Sequence, residues 1–599
     1  MSAKYIIGID LGTTNSVLAY MPLEEEEPEI RLLAVPQLVS AGTIEPRTSL
    51  PSFVYLPIEE ETSGGALDLP WTCGAAYAVG EFARQRGAEA PERTVGAAKS
   101  WLAHSRIDRH QPILPWGAPP EVPKVSPVAA ARRYLEHLIG AWEHTFPDAP
   151  AAQQQVVLTV PASFDAAARE LTREASLAAG LPASLVLLEE PQAAVYSWVA
   201  AMGDRWRRSL RVDDTLLVCD IGGGTTDLTL VRLTEQDGAL QLQRVAVGNH
   251  LLVGGDNMDL ALAHHVAGLF AEKGVELDPW QSVALWHSCR DAKETLLRPD
   301  GPQQHTISVL GRGSRLIGGT VSVEVERESI REFLLEGFFP RCNVTDRPAR
   351  QRMSGFRELG LPFEADAAVT RHLAAFLQAH GDESAGPVHP TRVLFNGGVF
   401  KAEALRGRLL DVLADWFGDP ATPEVLEGVH DLDHAAARGA AYYGWSKKFG
   451  GVRIRGGTAR SYYVGIETAG PAIPGAPRPL RALCVVPAGM EEGTETDVPG
   501  DEIGLVVGEP AMFRFFSSPT RKEDQPGDLL QRWTAEELTE TDPLETMLTV
   551  DEDIDEPYVP VKFHSRITEL GMFELWCVST TTDQRWKLEF SVREDAESS

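Results

Sequence analysis

Two short stretches of this sequence set a carboxylate beside a glycine–threonine turn. The first is Asp10-Leu11-Gly12-Thr13-Thr14-Asn15, and the second is Asp220-Ile221-Gly222-Gly223-Gly224-Thr225-Thr226-Asp227. Backbone N–H groups of such turns, with the threonine hydroxyls, can hydrogen-bond phosphate oxygens. Asp10, Asp220 and Asp227 would repel phosphate unless a cation lay between. They suit Mg2+, which keeps much of its water and takes few protein carboxylates alongside substrate phosphates. The chain has no Gly-x-x-x-x-Gly-Lys-Ser/Thr run and no Gly-x-Gly-x-x-Gly turn, which excludes a P-loop and a dinucleotide fold. One copy would read equally well as a glycine-rich hairpin, whereas two copies with matched Asp and Thr positions point to a site.

The elements that must hold these turns are legible around them. Ile6 to Ile9 and Leu216 to Cys219 are apolar runs that lead into the aspartates, and Val17-Leu18 and Leu228 to Leu230 follow the turns. This repeated grammar of strand, Asp, turn and strand predicts two related α/β lobes. Val156 to Val160 reads as a buried strand, followed by a helix with Asp165 as N-cap and Gly180 and Pro182 as its stop. Arg392 to Phe395 predicts another strand, which enters Asn396-Gly397-Gly398 and a helix from Ala402 to about Phe417. Gly450, Gly451, Gly456 and Gly457 mark a linker after Lys447-Lys448. Beyond it, Phe573, Leu575 and Cys577, then Trp586, Leu588 and Phe590, alternate with other residues at the period of two of a small β domain. The expected division is 1–449 for the two lobes, 450–460 for the linker and 461–599 for the β domain.

At 599 residues the chain is too long for one hydrophobic core. Its 55 Lys and Arg stand against 86 Asp and Glu, a net charge of −31, which argues against a nucleic-acid partner. The six cysteines are dispersed, with no Cys-x-x-Cys pair, and read as reduced thiols of a cytoplasmic protein. The N-terminus lacks the pattern of a signal peptide, and no apolar run reaches the roughly 18 residues of a membrane span, so no membrane partner is expected. Glu24 to Glu27 and Asp551 to Glu556 read as solvated loops.

The segments IGIDLGTTNS, LTVPASFDAAARELTREASLAAGL, LLEEPQAAVYSW, LLVCDIGGGTTDLTLV, VGGDNMD and LFNGGVFKAEALRGRL follow one another in an order that resembles heat-shock chaperones of the DnaK type, from about Tyr5 to Gly444. The resemblance implies duplicated actin-like ATPase lobes with an interlobe nucleotide cleft, followed by a small C-terminal β domain. It implies ATP and Mg2+ as cofactors, with K+ as a further ion, and slow hydrolysis coupled to binding of unfolded polypeptide. Gly12, Thr13, Thr14 and Asn15 would form one phosphate loop, and Gly222, Gly223, Gly224 and Thr225 the other. Asp10, Asp220 and Asp227 would hold the hydrated metal, with Lys99, Glu190, Asp220 and Asp227 as the catalytic set. Lys293, Gly397, Gly398 and Lys401 would bind the nucleoside, and Pro161 and Arg169 would couple the nucleotide to the β domain.

The departures from the family pattern carry their own expectations. Glu294, Lys401 and Leu297 stand where the family has two arginines and a serine around the adenine. A carboxylate cannot stack on a base as a guanidinium does, so weaker binding or altered base preference is expected. Thr345 to Ala365 has no counterpart. Tyr463 to Thr468 resembles the opening strand of the family's substrate domain, and the few residues after Val592 leave no room for its helical lid. Arg453-Ile454-Arg455-Gly456-Gly457 replaces the family's leucine-rich linker. With four glycines between Gly450 and Ala459, specific docking of that segment should be costly in entropy, and nucleotide should change affinity at the β domain by less than about tenfold. Two further readings are a nucleotide-gated scaffold for one dedicated protein partner and a small-molecule kinase of the actin and sugar-kinase superfamily. No sugar-binding carboxylate motif is evident for the kinase.

Overall fold

Each aspartate-bearing strand lies at the centre of its own sheet. A computed structural model describes residues 3–590 apart from 26–28, 105–106, 237–238, 311–319, 350–360, 362, 382–385, 419–420, 427–430, 451, 453, 456, 459, 468–479, 492, 507, 536, 548–557 and 569–571. In the first sheet β1 (Tyr5–Leu11) pairs antiparallel with β2 (Asn15–Pro22) and parallel with β3 (Gln155–Val160), which pairs parallel with β4 (Val186–Glu189). The second sheet repeats the arrangement. There β5 (Thr215–Ile221) pairs antiparallel with β6 (Thr226–Gln236) and parallel with β8 (Arg392–Asn396), while β7 (Ala239–Val247) extends the sheet beyond β6. The two Gly-Thr turns are therefore hairpin connections, as the motif predicts.

One face of the first sheet is covered by α1 (Pro127–Thr145) and α2 (Ala166–Ala178), with Trp142 and Leu138 fully buried. Between the two sheets lie α3 (Glu190–Met202) and α6 (Ala435–Phe449), whose Ala194, Trp198, Ala436 and Ala440 share one core with Val157 and Leu188 of the first sheet and Leu216, Val218 and Leu394 of the second. Their small residues set the spacing. A Cβ on Gly8 would fall 2.3 Å from the Ala437 carbonyl oxygen, and one on Gly439 only 1.7 Å from that of Ala193. The cleft walls are completed by α4 (Gly255–Glu272) and α5 (Pro279–Leu296), and α5 begins on Asp278, whose side chain accepts from Gln281 N–H at 2.8 Å.

The C-terminal strands, from β10 (Ser461–Glu467) to Arg585–Phe590, enclose their own core. Tyr462, Phe515 and Phe573 stack in it with ring centroids 5.5–5.6 Å apart. Leu575, Cys577, Trp586 and Leu588 are buried in alternation, as the period-two pattern predicts. This unit packs against both lobes. Ala166 of α2 belongs to its core and Met572 to the core of the first lobe, while Lys522 Nζ donates to the Val245 carbonyl of the second lobe at 2.5 Å.

The expectation that the glycine-rich segment resists docking is corrected. Ile454–Arg455 forms β9, paired parallel with Leu242 and Gln243 at the edge of the second sheet. Ile454 is buried, its N–H donates to the Tyr196 hydroxyl at 2.8 Å, and Val452 packs on the same cluster. Two apolar side chains at alternate positions suffice because the open edge of β7 supplies unpaired backbone groups, which local composition does not reveal. Arg453 and Gly456 lie outside the described residues, as do Glu26, Glu27, most of the stretch from Thr345 to Ala365, the run 551–556 and Val592 with the expectation of a missing lid. Glu25 pairs with Arg31 in solvent at 2.9 Å, and Leu361 packs on the first lobe. All six cysteines are free thiols, and no described helix is long and apolar enough to cross a membrane.

His137 of α1 gives the fold a pH dependence. It is buried, its Nε2 lies 2.9 Å from the Pro36 carbonyl oxygen, and burial pushes its pKa down to about 4. Between the unfolded value of about 6.5 and that folded value, only the unfolded chain takes up the proton, so stability is lost as pH falls through this window. The contribution lost by pH 5 is about 2 kcal/mol. Thermal melts of the parent and of His137→Gln at pH 7 and pH 5 should show a smaller acid-induced drop in the variant.

Candidate functional site

The two hairpin turns face each other across a cavity of about 570 Å3 between the sheets. A Cβ on Gly223 would lie 1.8 Å from Thr14 Oγ1, and one on Gly224 would lie 2.9 Å from Thr13 Cγ2. Each turn is tied down from behind. Ser52 Oγ donates to the Gly12 carbonyl at 2.7 Å, while the N–H groups of Gly255 and Asp256 donate to the carbonyls of Gly222 and Gly223 at 3.0 and 2.7 Å. Thr14 Oγ1 is buried without a hydrogen-bond partner. An orphaned hydroxyl packed between two glycine-rich turns is a donor that a phosphate bound there would satisfy.

The carboxylates are fixed by a device that repeats between the lobes. Thr159 stands beside Asp10 in the parallel register of β3 and β1, and donates to it at 2.8 Å. Asn396 stands beside Asp220 in the same way on β8 and donates at 2.8 Å. Asp227 lies opposite Asp220 in the hairpin, behind the cavity lining, and accepts from Ser163 Oγ at 2.6 Å. From the first lobe, Lys99 forms an ion pair with Glu190 at the start of α3.

Four carboxylates thus surround one ammonium. Burial, followed by the negative neighbours, pushes Glu190 up to about 8 and Asp220 up to about 7. Asp10 is raised by burial, against the opposing pull of Lys99. Lys99 is raised in spite of burial, because Glu190 and Asp10 favour its charged form. The set is short of positive charge, as a cation site should be. Among the described residues no three of His, Cys, Asp and Glu converge closely enough to ligate a bare metal ion. A cation here would bring its own water and phosphate ligands, the habit of Mg2+.

The far wall carries charge where the sequence predicts a nucleoside. Arg290 of α5 is buried, pairs with Asp256, and donates from Nε to Asp259 at 2.8 Å. Lys293, one turn nearer the helix end on the same face, reaches Asp259 at 2.6 Å and the Gly255 carbonyl at 3.0 Å. Glu294, Leu297, Gly397 and Gly398 also line the cavity, and Lys401 pairs with Asp433 at 2.5 Å. Gly12, Thr13, Thr14, Asn15, Gly222, Gly223 and Thr225 line it at the phosphate end, whereas Gly224 and Asp227 lie just behind. Pro161 and Arg169 lie away from the cavity. Arg169 bonds Glu189 at 2.9 Å and borders the crevice between the first lobe and the β domain.

Thr159, Asn396, Ser163 and Arg290 have no role in the sequence reading. The first two carry one signal, since each stands near the end of an apolar run, Thr159 two residues before Pro161 and Asn396 directly before Gly397. That they adjoin the aspartates depends on pairing with strands 149 and 176 residues away.

Residues 129–344 match a family model described as Hsp70 protein. The chain is 30% identical over 441 residues to a chaperone protein HscA homolog of Pseudomonas aeruginosa (strain LESB58), covering 68% of this chain and 60% of that protein. The chain thus spans less than two thirds of that relative's length. With the family model matched across the second Gly-Thr turn, Glu190 and Lys293, and with the ordered motifs running on either side of it, the chain belongs to the Hsp70 family.

Proposed function

We propose that the chain binds ATP with Mg2+ between two actin-like lobes, hydrolyses it slowly, and acts as a chaperone that holds polypeptide through its C-terminal β domain. The observation that carries this reading is the pair of opposed Gly-Thr turns, with an orphaned Thr14 hydroxyl between them and a carboxylate set short of positive charge beside them. The lobes are read as residues 1–449, the connection as 450–460 and the partner domain as 461–599. The bound metal would supply charge neutralisation and a scaffold for the phosphates. The protein's own part is positioning. Thr159 and Asn396 hold Asp10 and Asp220 in single orientations, Glu190 anchors Lys99 where the phosphates would end, and the turns offer N–H groups. The described residues add no support for K+. Polypeptide binding draws support from Met512, Met547 and Tyr558 of the β domain, which are 56, 52 and 57% exposed. Competition among unrelated unfolded peptides tests it, since a scaffold for one dedicated client would bind few of them.

The test of the site itself is binding and turnover of ATP and GTP, each with and without Mg2+. Binding should require Mg2+ for full affinity, and the two bases should be discriminated by less than about tenfold, because Glu294 and an already paired Lys401 cannot clamp a purine by stacking. A hundredfold preference for ATP, about 2.7 kcal/mol, would refute the base assignment. Failure to bind either nucleotide would refute the site.

A further inference from the structure

Three polar side chains meet behind the second Gly-Thr turn. Ser163 Oγ lies 2.6 Å from Asp227 Oδ1 and 2.7 Å from His250 Nδ1. A hydroxyl has one proton, and a carboxylate can only accept, so the Ser163 proton goes to Asp227. Ser163 Oγ must then accept from His250, which requires the imidazole proton to sit on Nδ1. His250 Nε2 is left as a bare nitrogen, and it is indeed sealed from solvent without a partner.

The surroundings favour that form of the ring. Phe164 sets its ring against the imidazole at 5.7 Å between centroids. Burial and the guanidinium of Arg460 oppose a second proton, as does the more distant Lys99, while Asp227 and Asp165 favour it, and the pKa falls below the usual histidine range. Arg460 is itself buried, one residue before β10, and its Nε has no partner. The last residue of the connection thus contributes a fixed positive charge beside a ring that has no room for one.

We propose that His250 is a positioning residue for hydrolysis, donating its Nδ1 proton to Ser163 and so locking the Ser163 hydroxyl onto Asp227. The proposal rests on the nucleotide-site reading above. Without His250, the Ser163 hydroxyl regains its rotation, and Asp227 loses the one side-chain hydrogen bond that fixes its orientation among the described residues. Because Asp227 lies behind the cavity lining, the effect should fall on kcat and spare KM.

The first arm of the test uses the full chain labelled with 15N-histidine, without nucleotide. The His250 resonance, assigned by its loss in His250→Asn, should show a protonated Nδ1 and a bare Nε2, and Ser163→Ala should shift it. A ring protonated on Nε2 alone overturns the proposal. The second arm is kinetic. His250→Ala and Ser163→Ala should each lower kcat about five- to tenfold, the loss of about one hydrogen bond, with KM for MgATP changed by less than about twofold. His250→Asn, whose amide can donate from nearly the Nδ1 position, should recover most of that loss, which a variant that merely misfolds would not do. The double variant should be no slower than either single one, and losses that multiply would overturn the proposal. If the parent binds no nucleotide, the functional reading fails, and the tautomer alone decides whether the Ser163–His250 arrangement stands.

Discussion

Asp10→Asn is expected to lower ATP turnover by at least about a hundredfold while making the nucleotide-free protein more stable. The first effect follows from the role of fixed charge in phosphoryl transfer, where losing one preorganised stabilising group costs about 10²–10³ in rate. Thr159 would still hydrogen-bond the amide, so the geometry is retained and only the charge is lost. The second effect has the opposite sign. The Asp10 pKa is raised by burial, so its ionised form costs the empty fold free energy as pH rises through that raised value. Removing the charge relieves repulsion with Asp220 and Glu190. Single-turnover hydrolysis and thermal melts without Mg2+ or nucleotide measure the two halves. A variant that turns over like the parent would show that Asp10 does not serve the metal. A lowered melting point would show that the carboxylate set is not in repulsion.

The second large effect concerns the contact between the first lobe and the β domain. Arg109 is fully buried and bridges to Asp542 at 2.8 Å, and Asp542 is itself almost fully buried. Removing one partner of such a pair strands an uncompensated charge, at a cost of about 3–5 kcal/mol. Arg109→Met should therefore loosen the β domain. The thermal transition should split or fall, and a protease should cut sites that docking protects. Replacing both partners, as in Arg109→Met with Asp542→Leu, should restore most of the loss, because burying neither charge avoids the desolvation that the pair suffers. Unchanged melting and proteolysis in the single variant would mean that the remaining contacts, those of Ala166, Met572 and Lys522 among them, hold the interface without the ion pair.

Docking on both lobes also changes the outlook for coupling. The glycine content of the connection predicts a loose tether, yet β9 joins the second sheet, Arg109 ties the β domain to the first lobe, and Arg460 at the end of the connection reaches the surroundings of Asp227. Any change in the relation of the lobes would be felt at these contacts.

The amino-acid sequence by itself determined the two hairpin turns, their carboxylates and the alternation of the β domain, because each depends on residues a few positions apart. In Asp220-Ile221-Gly222-Gly223-Gly224-Thr225-Thr226-Asp227 the turn length alone sets Asp220 opposite Asp227. Likewise, Asp165 declares a helix start through its own hydrogen bond to Ala168 N–H at 2.8 Å. Only the tertiary structure decided that Thr159 and Asn396 hold the aspartates, that Asp256 and Asp259 neutralise Arg290, and that Val452 and Ile454 dock as an edge strand. Each of these rests on partners brought together by strand pairing or helix packing across long stretches of chain. A carboxylate or an apolar residue looks the same in sequence whether its partner is a neighbouring strand or water, and only burial, by raising the cost of an unpaired group, makes the partner obligatory.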